Sequence, residues 1–421
     1  MSTIPDISVM EVKDYQPQIR KLTNGITTYT FPSKDSEVVY MKFVFYNAGS
    51  ISQNKSLTAT FTGSQIGKNT KDYTYKQLSE EMDFYGLYFS PYTSRERFCL
   101  NFSFLNRYQE NILPLIQQII LYTRFDEHTL EVEVGRAKQN YLTKLQQTNF
   151  LGQKCFNQEL FGQDNLYGKY ATIEDYNNIN IKDLQNFWQK YYTLNQCYIM
   201  LAGNVEEKFF DLLEAFFGKE KITEKIEETN INFGAKKTNG IIRNSLASAQ
   251  QTSIVMGRLL PEIGNEDYIL LIVLNCIFGG YFNSRLMSNI REQKGYTYGI
   301  DSAIIPFKYG NIMMIVSDIA LDKEKQTIEE IHKEMDILKN DEVSLQELST
   351  VKNYMTGEML RSTDGVAYIS ENYDYILRYK LRKDYNSYLI NGIRAITRRD
   401  IKNIARKYLN KESFLCSVVG K

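Results

Sequence analysis

The sequence predicts an α+β protein made of two homologous halves, each with helices packed on one face of a mostly antiparallel sheet. Three observations predict it. The chain has 421 residues, and at roughly 150 residues per domain that length suits two to four domains. Segments that alternate with period two are interleaved with segments of helical period. The chain also carries an internal repeat. Ile179-Asn-Ile-Lys-Asp183-Leu-Gln-Asn-Phe-Trp-Gln-Lys190-Tyr191 matches Ile396-Thr-Arg-Arg-Asp400-Ile-Lys-Asn-Ile-Ala-Arg-Lys407-Tyr408 without a gap, at an offset of 217 positions. Each copy then enters an apolar strand ending in glycine, Tyr198–Gly203 and Leu415–Gly420. A repeat of that length is a domain duplication and not a solenoid unit.

The elements follow in order. Val38 to Tyr46 is rich in β-formers. Arg97 to Phe104 alternates strictly, placing Phe98, Leu100, Phe102 and Phe104 on one face. Asn111 to Leu121 and Asp267 to Phe278 are nearly continuous apolar segments and read as buried helices. Thr252 to Met256 and Ile312 to Val316 read as strands. Ile328, Ile331, Met335 and Leu338 recur at helical spacing. Ser344-Leu-Gln-Glu347 has capping-box spacing and opens a further helix. The polar stretch Lys219 to Gly240 reads as a linker, which divides the chain into 1–218, a linker 219–240, and 241–421.

Composition excludes several functions. Fifty basic residues balance fifty acidic ones, so neither nucleic acid nor an anionic membrane is expected as a partner. The five cysteines are scattered without a C-x-x-C, which removes a cysteine-based zinc site and argues against a disulfide framework. No apolar run reaches the ~18 residues of a membrane span. The segment Met1 to Gln18 lacks a signal-peptide pattern, so a cytoplasmic location is the expectation. The two histidines, His128 and His332, lie in different halves, which leaves too few imidazoles for a histidine-rich metal site or a Ser-His-Asp triad. The 31 Tyr and 23 Phe fit either a peptide-binding chamber or ordinary cores.

Candidate chemistry is sparse. Gly63 to Thr70 has three residues between its glycines, and Asn69 follows Lys68, so it is no phosphate loop. His128-Thr-Leu-Glu131 lacks the second histidine of H-x-x-E-H, because Val132 stands there; it reads as an ordinary helix start. Glu80, Glu81 and Asp83 read as a solvated helix face. The richest segment runs from Asn275 to Ile300. A buried helix ends at Gly279-Gly280, a short helix spans Ser284 to Gln293, Gly295 breaks it, and Tyr298 starts a strand. Arg291 and Tyr298 could donate to one acyl oxygen or backbone carbonyl. Spacing alone favours a plainer arrangement, with Arg291 paired to a local carboxylate and Tyr298 packed in a half-buried strand.

Phe278-Gly279-Gly280, Ser284-Arg285-Leu286 and Arg291-Glu292-x-x-Gly295-x-x-Tyr298 resemble the C-terminal-half signature of the insulinase/pitrilysin superfamily, in its processing-peptidase-like branch. Tyr167-Gly168, Ala202-Gly203-Asn204-Val205, Glu347 with Lys352, and the terminal Val-Val-Gly420 extend the likeness over essentially the whole chain. The resemblance implies two α/β-roll halves joined by a linker into a half-shell. It also implies a zinc motif in the first half, and there the chain departs. Thr60, Gly63 and Ser64 occupy the positions of the two histidines and the glutamate, and the counterpart of a further zinc-binding helix, Arg136 to Leu142, holds no carboxylate. No metal is therefore expected in this chain.

What remains is similar to a substrate clamp, Arg291 and Tyr298. The resemblance implies a catalytically inactive subunit that pairs with a zinc-bearing homologue and binds a peptide substrate. A homodimer and a purely structural or peptide-holding protein are the other expectations, since fold alone does not decide function.

Overall fold

The computed structural model describes residues 12–220, 232–362 and 365–421. The N-terminal segment 1–11 and the middle of the linker, 221–231, lie outside the described residues. Among the described residues thirteen strands form: β1 (Gln18–Lys21), β2 (Thr27–Pro32), β3 (Val38–Phe45), β4 (Asn69–Thr70), β5 (Tyr88–Thr93), β6 (Phe98–Leu105), β7 (Thr123–Arg124), β8 (Cys197–Gly203), β9 (Gly240–Ser245), β10 (Thr252–Leu260), β11 (Thr297–Phe307), β12 (Gly310–Ile319) and β13 (Leu415–Gly420). They build one sheet per half, in the orders β1-β2-β8-β3-β6-β5 and β9-β13-β10-β12-β11, with β4 and β7 forming a small separate ribbon.

The duplication is visible strand by strand. β8 is parallel to β2 and antiparallel to β3. Its counterpart β13 is parallel to β9 and antiparallel to β10. These are the two parallel pairings; every other ladder in the described sheets is antiparallel. The repeated helices are Ile181–Tyr191 and Arg398–Tyr408, and both open with a complete capping box, Asn180 with Asp183 and Thr397 with Asp400. Reciprocal hydrogen bonds there satisfy donors that a helix start leaves free.

Alternation explains the cores. On β6, Phe98, Leu100, Phe102 and Phe104 are all buried, and they join Phe43, Phe45, Ile199 and Leu201 beneath the helix Gln109–Leu121. In the second half Ile254, Met256, Cys416 and Val418 face the helix Tyr268–Phe278 in the same way.

The expectation of helices on one face holds for each half's own helices, but the opposite faces are not left to solvent. The helix Val366–Arg378 of the second half covers β8 and β2 of the first. The helix Thr148–Phe161 of the first half covers β13 and β10 of the second. Phe31, Met200 and Ala202 meet Tyr373 and Ile376 on one of these faces. Phe156, Leu160 and Tyr167 meet Val255 and Leu415 on the other. Gly257 permits the second approach, because a Cβ there would lie 2.8 Å from Phe156 Cζ and 2.4 Å from the Met313 carbonyl.

Two buried polar clusters tie the halves together. Asp374, 1% exposed, accepts hydrogen bonds from Lys42 Nζ and Arg97 Nη1, both at 2.8 Å, and from the Tyr198 hydroxyl. Burial works against its charge, but Arg97 and Lys42 outweigh it and hold the carboxyl below the usual carboxylate range. Glu96 accepts from Arg378 at 2.6 Å, the Tyr167 hydroxyl at 3.0 Å and the Lys308 backbone N–H at 2.7 Å. No helix of the described residues is long and apolar enough to cross a membrane.

Candidate functional site

The segment from Asn275 to Ile300 separates into a framework and two projecting side chains. The helix Tyr268–Phe278 ends where the Gly279 and Gly280 N–H groups both donate to the Asn275 carbonyl at 2.9 Å. Any Cβ on Gly279 would sit 2.6 Å from Ser302 Cβ and 3.0 Å from Leu286 Cδ1. The Asn275 amide donates to the Ser302 carbonyl at 2.9 Å and accepts from its hydroxyl at 2.6 Å. Ser284 and Leu286 are fully buried. Arg285 donates to both oxygens of Glu347, at 2.8 and 2.9 Å. Burial opposes the Arg285 charge and Glu347 more than offsets it, so the guanidinium's pKa is raised. The Glu347 N–H does reach the Ser344 hydroxyl as the capping spacing predicts, while the Glu347 carboxylate serves Arg285. Lys352 donates to the carbonyls of Arg394 and Ile396. Most of the signature is therefore packing and helix anchoring.

Arg291 and Tyr298 are the exceptions. Arg291 sits in a π-helical stretch, Met287–Gln293, where sequence spacing suggests plain α-helix. Wide turns of this kind recur at functional sites. Its guanidinium lies 4.8 Å over the ring of Phe282. Among the described residues it makes no ion pair, so the local carboxylate favoured by spacing is not its partner. Gly295 turns the chain at φ +66°. The β11–β12 register then jumps between Thr297 and Ile300, which puts Tyr298 in a β-bulge. The Thr297 hydroxyl donates to the Asp318 carbonyl across the strands and accepts from the Gly299 N–H. Ser317 donates to the Gly299 carbonyl. Thus pinned, Tyr298 is 92% exposed, not half-buried as spacing suggested. No hydrogen bond joins Arg291 to Tyr298 among the described residues; they flank one turn. Sequence reasoning missed Phe282 and the bulge. The exposed aromatic beside Gly280 was a usable signal for the first, and the second has no residue signature.

The helix Thr58–Gln65 carries the degenerate zinc-motif positions. Thr60 is exposed and lines a cavity of about 620 Å³ between the halves, with Tyr92, Glu96, Phe307 and Arg378. Gly63 turns inward, where a Cβ would lie 2.2 Å from Thr93 Oγ1 and 2.9 Å from the Phe98 ring. The Ser64 hydroxyl donates to Glu133 Oε2 at 2.6 Å, and Lys68 Nζ is 3.7 Å from the same carboxylate. Glu133 lies on the helix Glu127–Lys144, less than one turn before the carboxylate-free stretch Arg136 to Leu142, and sequence reasoning passed it over. The buried polar atoms that lack partners on this helix are the hydroxyls of Thr58 and Thr62 and the amide of Gln65. One carboxylate, neutral hydroxyls and an amide do not fit zinc, which takes imidazole, thiolate or several carboxylates. Among the described residues no group of three or more His, Cys, Asp or Glu could hold a metal ion. His128 stands in the first turn behind the Asp126 cap, as its sequence context predicts.

Comparison with known proteins bears on both regions. Residues 33–163 match the family model described as insulinase (peptidase family M16), and residues 178–355 match the peptidase M16 inactive domain. Together the two matches span well over half of the chain. The chain is 23% identical over 353 residues to the uncharacterized zinc protease YmxG of Bacillus subtilis, covering 83% of this chain and 85% of that one. It is 21% identical over 392 residues to the non-peptidase homolog YmxG of Helicobacter pylori, covering 90% and 88%. The crystal structure of a peptidase M16 inactive domain from Pseudomonas fluorescens superposes with a TM-score of 0.85 at 20% identity, covering 96% of this chain and 98% of that one.

Proposed function

The chain belongs to the insulinase family of peptidases, M16, as an inactive peptidase-like member, and from that premise we propose that it is the non-catalytic subunit of a two-chain peptidase. In this reading a zinc-bearing homologue supplies the metal, and this chain supplies Arg291 and Tyr298 to hold the peptide backbone near the scissile bond. One observation carries the proposal. Both side chains are polar donors without a hydrogen-bond or ion-pair partner among the described residues: Tyr298 is 92% exposed on a pinned bulge, and the Arg291 guanidinium lies over the exposed ring of Phe282. Residues kept for packing are buried or paired, as Ser284, Leu286 and Arg285 are. A preorganised phenol or guanidinium aimed at a carbonyl oxygen stabilises the charge that grows there during hydrolysis. The site is proposed to act in the cytoplasm.

The alternative, a peptide-holding protein without a part in hydrolysis, draws on the inter-half cavity and its aromatic lining residues Tyr92, Phe307 and Tyr375. One experiment separates the two. The tagged chain is purified gently from its native host and its partners are sequenced. The proposal expects a stoichiometric homologue carrying an intact H-x-x-E-H, no stoichiometric zinc on this chain alone, and peptidase activity from the pair. Arg291→Ala or Tyr298→Phe should then lower cleavage about a hundredfold, the usual cost of losing one such donor, without dissociating the complex. Recovery of this chain alone, or unchanged cleavage by both variants, overturns the proposal.

A further inference from the structure

We propose that a second cavity, at the end of the helix Val366–Arg378, binds a small aromatic carboxylate, either free or as the C-terminal end of a peptide. The cavity measures about 600 Å³, and among the described residues its lining comes from the second half: the turn Glu262–Asn265 with the helix start after it, the hairpin turn Phe307–Tyr309, and the segment Arg378–Tyr388. That size suits a small organic ligand.

Three features point to an anion with a ring. The lining is dominated by donors, with Glu262 the one carboxylate among the lining residues. Arg378 and Arg382 are already engaged by Glu96 and Asp384, but the Lys380 ammonium has no ion pair among the described residues. Second, Tyr385 is only 6% exposed and lines the cavity, and its hydroxyl, which makes no hydrogen bond among the described residues, is not sealed in the core and is available to a ligand as a donor. Burial raises its pKa, so the hydroxyl stays protonated and can donate. With Tyr388, whose ring centroid is 6.5 Å away, it forms an aromatic wall. Third, Lys380 is strained. The Leu381 N–H donates to the Ile376 carbonyl and the Lys380 N–H to the Leu377 carbonyl, which closes the helix with Lys380 at φ +52°. Glycine is the usual occupant of that position, because a Cβ is unfavourable in the left-handed region. A lysine there is explained by a ligand anion. The competing explanation is a cation favoured at a helix C-terminus, and it predicts a different outcome below.

The test uses the full chain and calorimetry or ligand-observed NMR, with N-acetyl-phenylalanine, its amide, N-acetyl-alanine, and a hexapeptide ending in phenylalanine as probes. The proposal expects the free acid to bind at least about tenfold tighter than the amide, which lacks the charge-assisted bond. It expects a similar margin over N-acetyl-alanine, which lacks the ring. Lys380→Gly should weaken binding about tenfold while the melting temperature holds or rises, because the strain is relieved. If Lys380 serves only the helix dipole, that variant instead melts lower and binds as before, and the proposal fails. Tyr385→Phe should weaken binding several-fold with the fold retained. Equal affinity for N-acetyl-phenylalanine and the hexapeptide assigns a small-molecule ligand. A hexapeptide about tenfold tighter assigns a peptide end. Absence of binding by every probe, or equal binding of acid and amide, overturns the proposal. None of these outcomes depends on Arg291 or Tyr298.

Discussion

Gly63 carries more structural information than its lack of a side chain suggests. It stands where the resemblance implies the glutamate of H-x-x-E-H, and its neighbours have closed over the space. Thr93 Oγ1 could rotate away from a new Cβ, but the Phe98 ring is fully buried in the first core and cannot. We expect Gly63→Ala to destabilise the chain by about 1–3 kcal/mol, the usual cost of overpacking, as read by urea unfolding. Simply writing the zinc motif back into the helix is therefore not expected to restore a metal site. Tyr298 shows the opposite limit of reading residue by residue. Its position in the signature is legible from Gly295 onward. Its exposure is not, because that follows from the bulge, and the bulge follows from Thr297 and Ser317 bonding across two strands.

At the scale of elements, local rules do well where both partners lie within one turn. The two repeated helices start at Asn180 and Thr397, each three residues before an aspartate, and in both the cap and the aspartate exchange hydrogen bonds within one turn. Asn180→Ala and Thr397→Ala should each cost about 1 kcal/mol. They lie in different halves and share no partner, so the double variant should cost the sum; denaturant midpoints of the three proteins check this. Strict alternation likewise placed β6, since period-two burial requires only that one face meet a core. The π-helical stretch Met287–Gln293 had no such signal. Its turn opens where the Ile300 N–H reaches the Met287 sulfur at 3.4 Å and the Tyr296 N–H reaches the Ile290 carbonyl. These contacts depend on where the following strand docks.

Across the whole molecule the two halves are held by exchange. Each lends one helix to the other's sheet, and two buried carboxylates bridge the halves: Asp374 of the second half accepts from Lys42, Arg97 and Tyr198 of the first, and Glu96 of the first accepts from Tyr167 of its own half and Arg378 of the second. Removing the charge of Asp374 strands Arg97 and deprives Lys42 of one of its two carboxylates. Asp374→Asn should therefore cost about 3 kcal/mol or more and loosen the packing of the halves, seen as a larger radius of gyration by X-ray scattering. The pH dependence has a definite sign. The folded pKa of Asp374 lies below its unfolded value of about 3.9, so its contribution is complete above that value and is lost as pH falls through the folded pKa. The stability gap between wild type and Asp374→Asn should thus be constant near neutrality and shrink in acid; a gap that stays the same from pH 7 to pH 3 contradicts the assignment.

The sequence alone determined the duplication, the strictly periodic strands and helices, the family likeness and the loss of the two imidazoles and the glutamate at Thr60, Ser64 and Gly63. Each of these is written in residue identity and short-range spacing, which capping, alternation and ligand supply obey directly. The tertiary structure decided which residues of the signature are framework and which are free to act. Arg285 is committed by Glu347, 62 positions away, and Tyr298 is released by a strand partner that spacing does not reveal. It also decided that each sheet is covered on its second face by the other half, because contacts between segments hundreds of residues apart depend on the complementary shape and charge of surfaces that exist only once both halves have folded.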